Sequence, residues 1–266
     1  MHNEYSSKNE AAWNQLAYDA WCSRFGYPEE AAEKIKSDPA AKISSLAGYL
    51  GDLKGKKVIH LLGSNGNKAV AMAILGAEVT VVDIASENAR YAKELARAAG
   101  VNINYIVSDV LELSEEELTG KYDIVLMELG VLHYFLDLKP LMSIVYRLLK
   151  SGGKFVLQDF HPVSTKLITS KGKKHKVTGD YFDTSIEETE VAYMKFVPGM
   201  DTLTSEEKSS FQKAYHRKWT IGEIITSIAS QNLYIRIFDE AENPKPEDKG
   251  IPKIYTAVAF RQDFLH

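Results

Sequence analysis

The residues of this sequence best suited to chemistry stand at the ends of apolar runs. A turn of small residues, Gly63-Ser64-Asn65-Gly66, follows "KVIHLL" and precedes the helix-like "NKAVAMAILG". Such a turn lets a ligand approach the backbone, and a helix starting near Asn67 offers free N–H groups. Asp83 closes "EVTVVD", where a carboxylate can accept two hydrogen bonds from a ribose diol. Asp109, in "VSDV", is placed to accept one from the exocyclic amine of adenine. Met127, Glu128 and Leu129 end "YDIVLME". Each residue alone reads as readily as an ordinary loop position. Four successive runs ending in suitable groups point to a nucleoside-type ligand.

The turn also says what that ligand is not. The dinucleotide fingerprint G-x-G-x-x-G needs glycines where this chain has Asn65 and Lys68. No G-x-x-x-x-G-K-[ST] phosphate loop occurs either. The turn is left to cradle something small and zwitterionic. Two histidines lie just past later runs, His133 in "GVLHYF" and His161 in "QDFHP". Imidazole titrates near neutral pH, so both are candidate general bases, and both also read as plain turn residues. No metal-ligand cluster of convincing spacing is present, and no metal is expected.

The elements that must position these groups alternate strand and helix from Val58 to Lys150. "KKVIHLL", "EVTVVDI", "INYIVSD", "YDIVLME" and "KFVLQDF" read as strands. Helices fall on "NKAVAMAILG", closed by Gly76, on "SENARYAKELARAAG", capped by Ser86 and ended by Gly100, and on "DLKPLMSIVYRLLKSGG". This rhythm predicts a doubly wound α/β fold with a parallel sheet covered by helices on both faces. Residues 1–55 read as helical, with aromatics at Tyr5, Trp13, Tyr18 and Trp21, and Trp13 and Tyr18 on one helix. Residues 163–215 are irregular and lysine-rich, with short strands expected near "KVTGDYFDT" and "EVAYMKFV". A helix at "WTIGEIITSIASQN" and strands at "LYIRIFDE" and "KIYTAVAFRQ" follow. The expected parts are 1–55, 56–162, 163–215 and 216–266.

Composition narrows the class. The chain has 266 residues, 45% hydrophobic and 26% charged, with net charge −4, which gives no footprint for a polyanion. A single cysteine, Cys22, forms no internal disulfide, which suits a reducing compartment. The N-terminal residues lack a secretory layout, and no apolar run nears the roughly 20 residues that span a bilayer. A soluble cytoplasmic protein, without membrane partners, is the expectation.

Taken together, "HLLGSNG", "GAEVTVVDIA", "SDVLEL", "YDIVLMELGVLHYFLDL", "RLLKSGGKFVLQDFHP" and "HRKWTIGEIITSIASQNLYIRIFDE" resemble class I S-adenosylmethionine-dependent methyltransferases. The likeness is to a small-molecule branch whose first motif reads H-L-x-C-x-x-G, with His60 at the usual acidic position and Gly63 in place of cysteine. It runs from "AAWNQLAY" to the C-terminus. The resemblance implies a Rossmann-like sheet of seven strands in the order 3-2-1-4-5-7-6, an N-terminal helical lid and an inserted cap after strand five. It implies S-adenosyl-L-methionine as cofactor. Leu62, Gly63, Ser64, Asn65 and Gly66 would lie along its methionine moiety, and Asp83 and Ile84 at ribose and adenine. Ser108, Asp109 and Val110 would flank the adenine edge, and Met127, Glu128 and Leu129 the sulfonium. Tyr18 would close the lid, which has an equal reading as packing onto the sheet. His60 could organise the amino end of the cofactor or sit satisfied in the core.

Methyl transfer to a small-molecule acceptor follows as the expected function, with His161 and His133 as base candidates and Tyr181, Phe182, His216 and Trp219 lining the acceptor site. Other readings are a tRNA or rRNA methyltransferase, a cofactor-binding protein without transfer, and a nicotinamide-dependent oxidoreductase. A monomer or homodimer is expected. The acceptor and the atom methylated are not legible.

Overall fold

The structure is a computed structural model and describes residues 2–171, 174–245 and 248–263. Five helices come first: α1 (His2–Trp13), α2 (Ala17–Phe25), α3 (Pro28–Ser37), α4 (Pro39–Lys42) and α5 (Ser44–Leu50). The alternating stretch follows as β1 (Lys57–Leu61), α6 (Asn67–Ile74), β2 (Glu78–Asp83), α7 (Ser86–Ala99), β3 (Ile103–Val107), β4 (Tyr122–Glu128), α8 (Leu138–Leu148) and β5 (Leu149–Phe160). Then come β6 (Ile168–Lys171), β7 (Lys174–Val177), β8 (Ile186–Thr189), α9 (Ser205–Ser209), β9 (Ala214–Arg217), α10 (Ile221–Ala229), β10 (Leu233–Glu242) and β11 (Pro252–Arg261). No helix among the described residues is long and apolar enough to cross a membrane.

Seven strands form one sheet in the order β3-β2-β1-β4-β5-β11-β10. Counted along the sheet-forming strands alone this is 3-2-1-4-5-7-6, as expected. β1 pairs with β2, β2 with β3 and β4 with β5 in parallel, while β11 is antiparallel to both β5 and β10. The central strands are buried almost throughout, which explains their continuous rather than alternating apolar runs. Packing groups the chain into two compact units, Met1–Ser114 with Glu188–Tyr215, and Glu115–Glu187 with His216–His266.

In the first unit, α7 buries Ala89, Ala92, Leu95 and Ala96 along one face, and α3 packs against it with Ala31, Ala32 and Ile35 buried. Small side chains on both helices permit close approach. Gly100, at φ +72°, ends α7 as expected. Ser86 does not cap its start. Ala85 occupies the cap position in an extended conformation, because Asp83 Oδ1 accepts the Ala85 N–H at 2.9 Å. Asn14 Oδ1 supplies the cap instead, accepting from Glu87 N at 3.2 Å and the Ser86 hydroxyl at 2.9 Å. Trp13 and Tyr18 lie on two helices rather than one, since Leu16 turns left-handed at φ 59° between them.

The 188–215 segment clasps α1 within this unit. Asn9 exchanges two hydrogen bonds with the Tyr215 backbone, at 3.0 and 2.7 Å, and Gln15 does the same with Gln212. Tyr193 is fully buried between Trp13 and Trp21, with ring centroids 5.3 and 5.5 Å away. Its hydroxyl reaches the carbonyls of Ala12 and Gln15. The expected strand at "EVAYMKFV" is thus a 3-10 turn, Met194–Phe196, that presents Tyr193. The strand expected near "KVTGDYFDT" stops at Val177, because Asp180 and Asp183 fold the chain back by accepting Phe182 N and Ser185 N, each at 2.8 Å.

Two glycines set the turn after β1. Gly66 takes φ +74°, and a Cβ there would fall 2.6 Å from Ala92 Cβ on α7. Gly66 therefore does the close-packing work of a fingerprint's last glycine, and Lys68 is no obstacle. At Gly63 a Cβ would meet Val81 Cγ1 at 2.7 Å and the His60 ring at 3.0 Å. His60 is buried beneath the turn.

Two stability outcomes follow. Tyr193→Phe removes a buried donor from two carbonyls and is expected to cost about 1–2 kcal/mol in urea unfolding. Gly63→Ala is expected to cost about 1–3 kcal/mol by the same measurement, through overpacking against Val81 and His60.

Candidate functional site

The loop after β1 is held in a conformation that side-chain-bearing residues rarely adopt. Leu62 and Ser64 have φ of 50° and 48°. Non-glycine residues stay in that region only where their surroundings hold them. Ser64 is held at both ends of its peptide units: its N–H donates to Asp83 Oδ2 at 3.0 Å, and its carbonyl accepts the Tyr105 hydroxyl at 2.6 Å. Asn65 Oδ1 accepts from Asn67 N at 3.2 Å and Asn67 Nδ2 at 2.6 Å, which starts α6.

Asp83 is the centre of this arrangement. Its other oxygen accepts from Ala85 N and, at 3.0 Å, from Asn88 Nδ2, while Asn88 Oδ1 accepts the Trp21 indole N–H at 2.8 Å. Burial pushes the Asp83 carboxyl up, and the three donors from Ala85, Asn88 and Ser64 oppose that shift. A carboxylate offers about four acceptor positions, so roughly one remains for a ligand hydroxyl. Beside it, Ser108 N donates to the Asp83 carbonyl at 3.0 Å, and Ile84 is partly exposed. Asp109 Oδ1 caps a short 3-10 turn through Leu111 N at 2.8 Å, and its Oδ2 accepts the hydroxyl of Ser6 on α1. Val110 is buried under that turn. Tyr18 is committed elsewhere: its hydroxyl bonds Glu94 and the Arg90 guanidinium lies 4.1 Å over its ring, both on α7.

The second unit carries a pocket of about 210 Å³. Leu132, Phe160, Pro162, Trp219 and Ile224 give it an apolar lining, and His133, Asp159, His216, Lys218 and Tyr255 are its principal polar groups. The loop after β4 reaches it through a second pair of unusual residues, Leu129 at φ 51° and Gly130 at φ 80°. Asp159, at the end of β5, holds that loop by accepting the N–H groups of Gly130, Val131 and Leu132. Met127 is fully buried in β4, Glu128 is partly exposed and Leu129 is exposed.

Histidine electrostatics divide the candidates. The rings of His133 and His216 lie 4.8 Å apart. Burial, with His216 and Lys218 nearby, pushes His133 down to about 3, so it stays neutral at working pH. Burial also lowers His216, but Glu187 at 3.4 Å from its Nε2 pulls the other way. Glu187 is bonded by Lys218 Nζ at 2.9 Å as well. Trp219 is fixed by its indole N–H to the Leu132 carbonyl at 3.1 Å.

Three expected residues are absent from this lining. His161 follows β5, but its Nδ1 accepts Val163 N at 3.1 Å, its Nε2 faces Glu240 at 2.7 Å, and it is not part of the pocket lining. Tyr181 uses its hydroxyl to accept Ile221 N, the first residue of α10, at 3.0 Å. Phe182 is 78% exposed. Sequence reasoning in turn missed Tyr105, Asn88, Asp159, Glu187 and Tyr255. Asp159 had a signal, a carboxylate at a strand end; the others sit mid-element, where nothing local marks them.

Comparison with known proteins agrees with this architecture. The methyltransferase domain model matches residues 52–241. A ubiquinone biosynthesis O-methyltransferase of Xanthomonas oryzae pv. oryzae is 34% identical over 40% of this chain and 44% of its own length, so the chain spans under half of that relative. Among solved structures, an S-adenosylmethionine-dependent methyltransferase from Mesorhizobium loti superposes with TM-score 0.63 at 20% identity, over 84% of this chain and 99% of its own. Magnesium protoporphyrin IX methyltransferase of Synechocystis PCC 6803, with bound S-adenosylhomocysteine, gives 0.55 at 15% identity over 97% and 99%. With a family model matched across well over half its length, this chain belongs to the methyltransferase domain family.

Proposed function

We propose that this protein transfers a methyl group from S-adenosylmethionine to a small-molecule acceptor. The observation that carries this reading is the braced turn after β1, in a chain of the methyltransferase family, with Asp83 and Asp109 at the next two strand ends. The site fits an adenosyl compound: a turn of small residues held in place, a carboxylate with one acceptor position left, and no dinucleotide fingerprint. The names of relatives and structural neighbours, a ubiquinone-biosynthesis enzyme and a protoporphyrin enzyme among them, support a small acceptor. "HLLGSNG" favours the small-molecule branch with a histidine-led first motif. We place the protein in the cytoplasm, as a monomer or homodimer.

In this reading Leu62, Gly63, Ser64, Asn65 and Gly66 hold the amino-acid part of the cofactor. Asp83 and Ile84 take the ribose and one adenine face, Ser108, Asp109 and Val110 the adenine edge, and Met127, Glu128 and Leu129 the sulfonium side. Residues 1–55 serve as cover, with Tyr18 acting through its anchor on α7. When bound, the cofactor supplies a sulfonium methyl whose leaving group is already good. The protein's own contribution is then alignment and exclusion of water, worth up to roughly 7–11 kcal/mol in well-oriented systems. A base is needed only where the accepting atom loses a proton as it reacts. His216, oriented by Glu187, is the better candidate, since His133 is too weak a base and His161 faces Glu240.

Calorimetry is expected to show uptake of S-adenosylmethionine and S-adenosylhomocysteine, with Asp83→Ala weakening both at least about tenfold. No uptake by folded protein at millimolar concentration would refute the proposal. With an acceptor found by release of S-adenosylhomocysteine, kcat/KM is expected to fall on the acid side as His216 gains its proton. Burial places that limb below the ordinary imidazole value of about 6.5. The limb is expected to vanish in His216→Gln; its persistence there would exclude His216 as the base.

A further inference from the structure

Tyr255 carries a hydroxyl that its surroundings do not use. It lies in β11 opposite Asp159 of β5, and is 1% exposed. Its ring is stacked on Phe238, at 5.3 Å and 7° between planes, and meets the edge of His161 at 6.2 Å. Those contacts leave the ring no freedom. The hydroxyl is buried and has no hydrogen-bond partner among the described residues. A hydroxyl kept dry and unpartnered is a cost that phenylalanine in the same place would avoid. Tyr255 is also among the residues that line the 210 Å³ pocket.

Several of the neighbouring polar groups are already engaged. Asp159 holds the loop after β4, Trp219 bonds Leu132, and Lys218 bonds Glu187, which also faces His216. Among the polar groups of this lining, the Tyr255 hydroxyl is the fully buried one with no hydrogen bond among the described residues. We propose that Tyr255 anchors the acceptor molecule, donating its hydroxyl proton to an oxygen lone pair on a small, mostly apolar compound. This rests on the pocket being the acceptor site of the methyltransferase reading above. Burial, reinforced by the Asp159 carboxylate, holds the proton on the phenol well beyond neutral pH, so the group acts as a donor throughout the working range. A carbonyl, hydroxyl or phenolate oxygen fits it, whereas an ammonium, which has no lone pair, does not. The apolar wall of Leu132, Phe160, Pro162, Trp219 and Ile224 takes the rest of the molecule.

The test uses the full chain and Tyr255→Phe, with phenol and toluene as probes that differ in one oxygen. Binding to each is measured by ligand-observed NMR titration, with and without S-adenosylhomocysteine, whose own affinity is recorded by calorimetry. Wild type is expected to prefer phenol by about five- to tenfold, and Tyr255→Phe to lose that preference. The variant is expected to melt at the wild-type temperature or above, because the hydroxyl supports nothing within the fold. No preference for phenol in wild type, a preference that survives in the variant, a lowered melting temperature or a failure to fold would each overturn the proposal. Loss of the methyltransferase reading looks different: S-adenosylhomocysteine does not bind, whatever the two probes do.

Discussion

The site in the first unit depends on one buried carboxylate. Asp83 lies at the end of β2, yet its hydrogen bonds go to the loop after β1, to the start of α7 and to Asn88, which in turn holds Trp21 of α2. Ser64 can persist at a positive φ only because Asp83 takes its N–H and Tyr105 fills its carbonyl. Burying a carboxylate this way is unfavourable on its own, and the converging donors oppose the desolvation without cancelling it. The strand end, the loop and two helices are therefore tied to a single carboxyl group.

The second unit repeats the device. Asp159 lies at the end of β5, and its oxygens collect N–H groups from the loop after β4, where Leu129 and Gly130 take left-handed conformations. In both units a carboxylate at one strand end fixes the loop that leaves another strand. The loops owe their shape to distant partners rather than to local turn chemistry. That is how an irregular loop is held still without a helix or sheet to hold it.

Burial sorts the histidines by what stands next to each. His133 faces another imidazole and a lysine, and nothing nearby stabilises its proton. His216 shares the same wall but also faces Glu187, so the two rings, 4.8 Å apart, differ as bases. His161 bonds its own turn through Nδ1 and has Glu240 beside Nε2. The two histidines of the pocket thus acquire different electrostatic characters from their neighbours.

Much of this was legible along the chain. Strand–helix alternation, read from apolar periodicity, is a local property, and the order of the seven sheet strands follows from it with the family resemblance. Gly66, Asp83 and Asp109 stood out because turns and strand ends are written in consecutive residues. The capping of α7 by Asn14, the break at Leu16 and the clasp of Tyr193 on α1 were not legible, since each depends on packing or on partners remote in sequence. So too for the pocket: Tyr255 and Asp159 are 96 residues apart yet directly opposed across two strands. By itself the sequence determined the strands and helices of the stretch from β1 to β5, because those choices depend on near neighbours. Only the tertiary structure decided which polar groups the loops after β1 and β4 consume, because hydrogen-bond partners are allotted in space rather than along the chain.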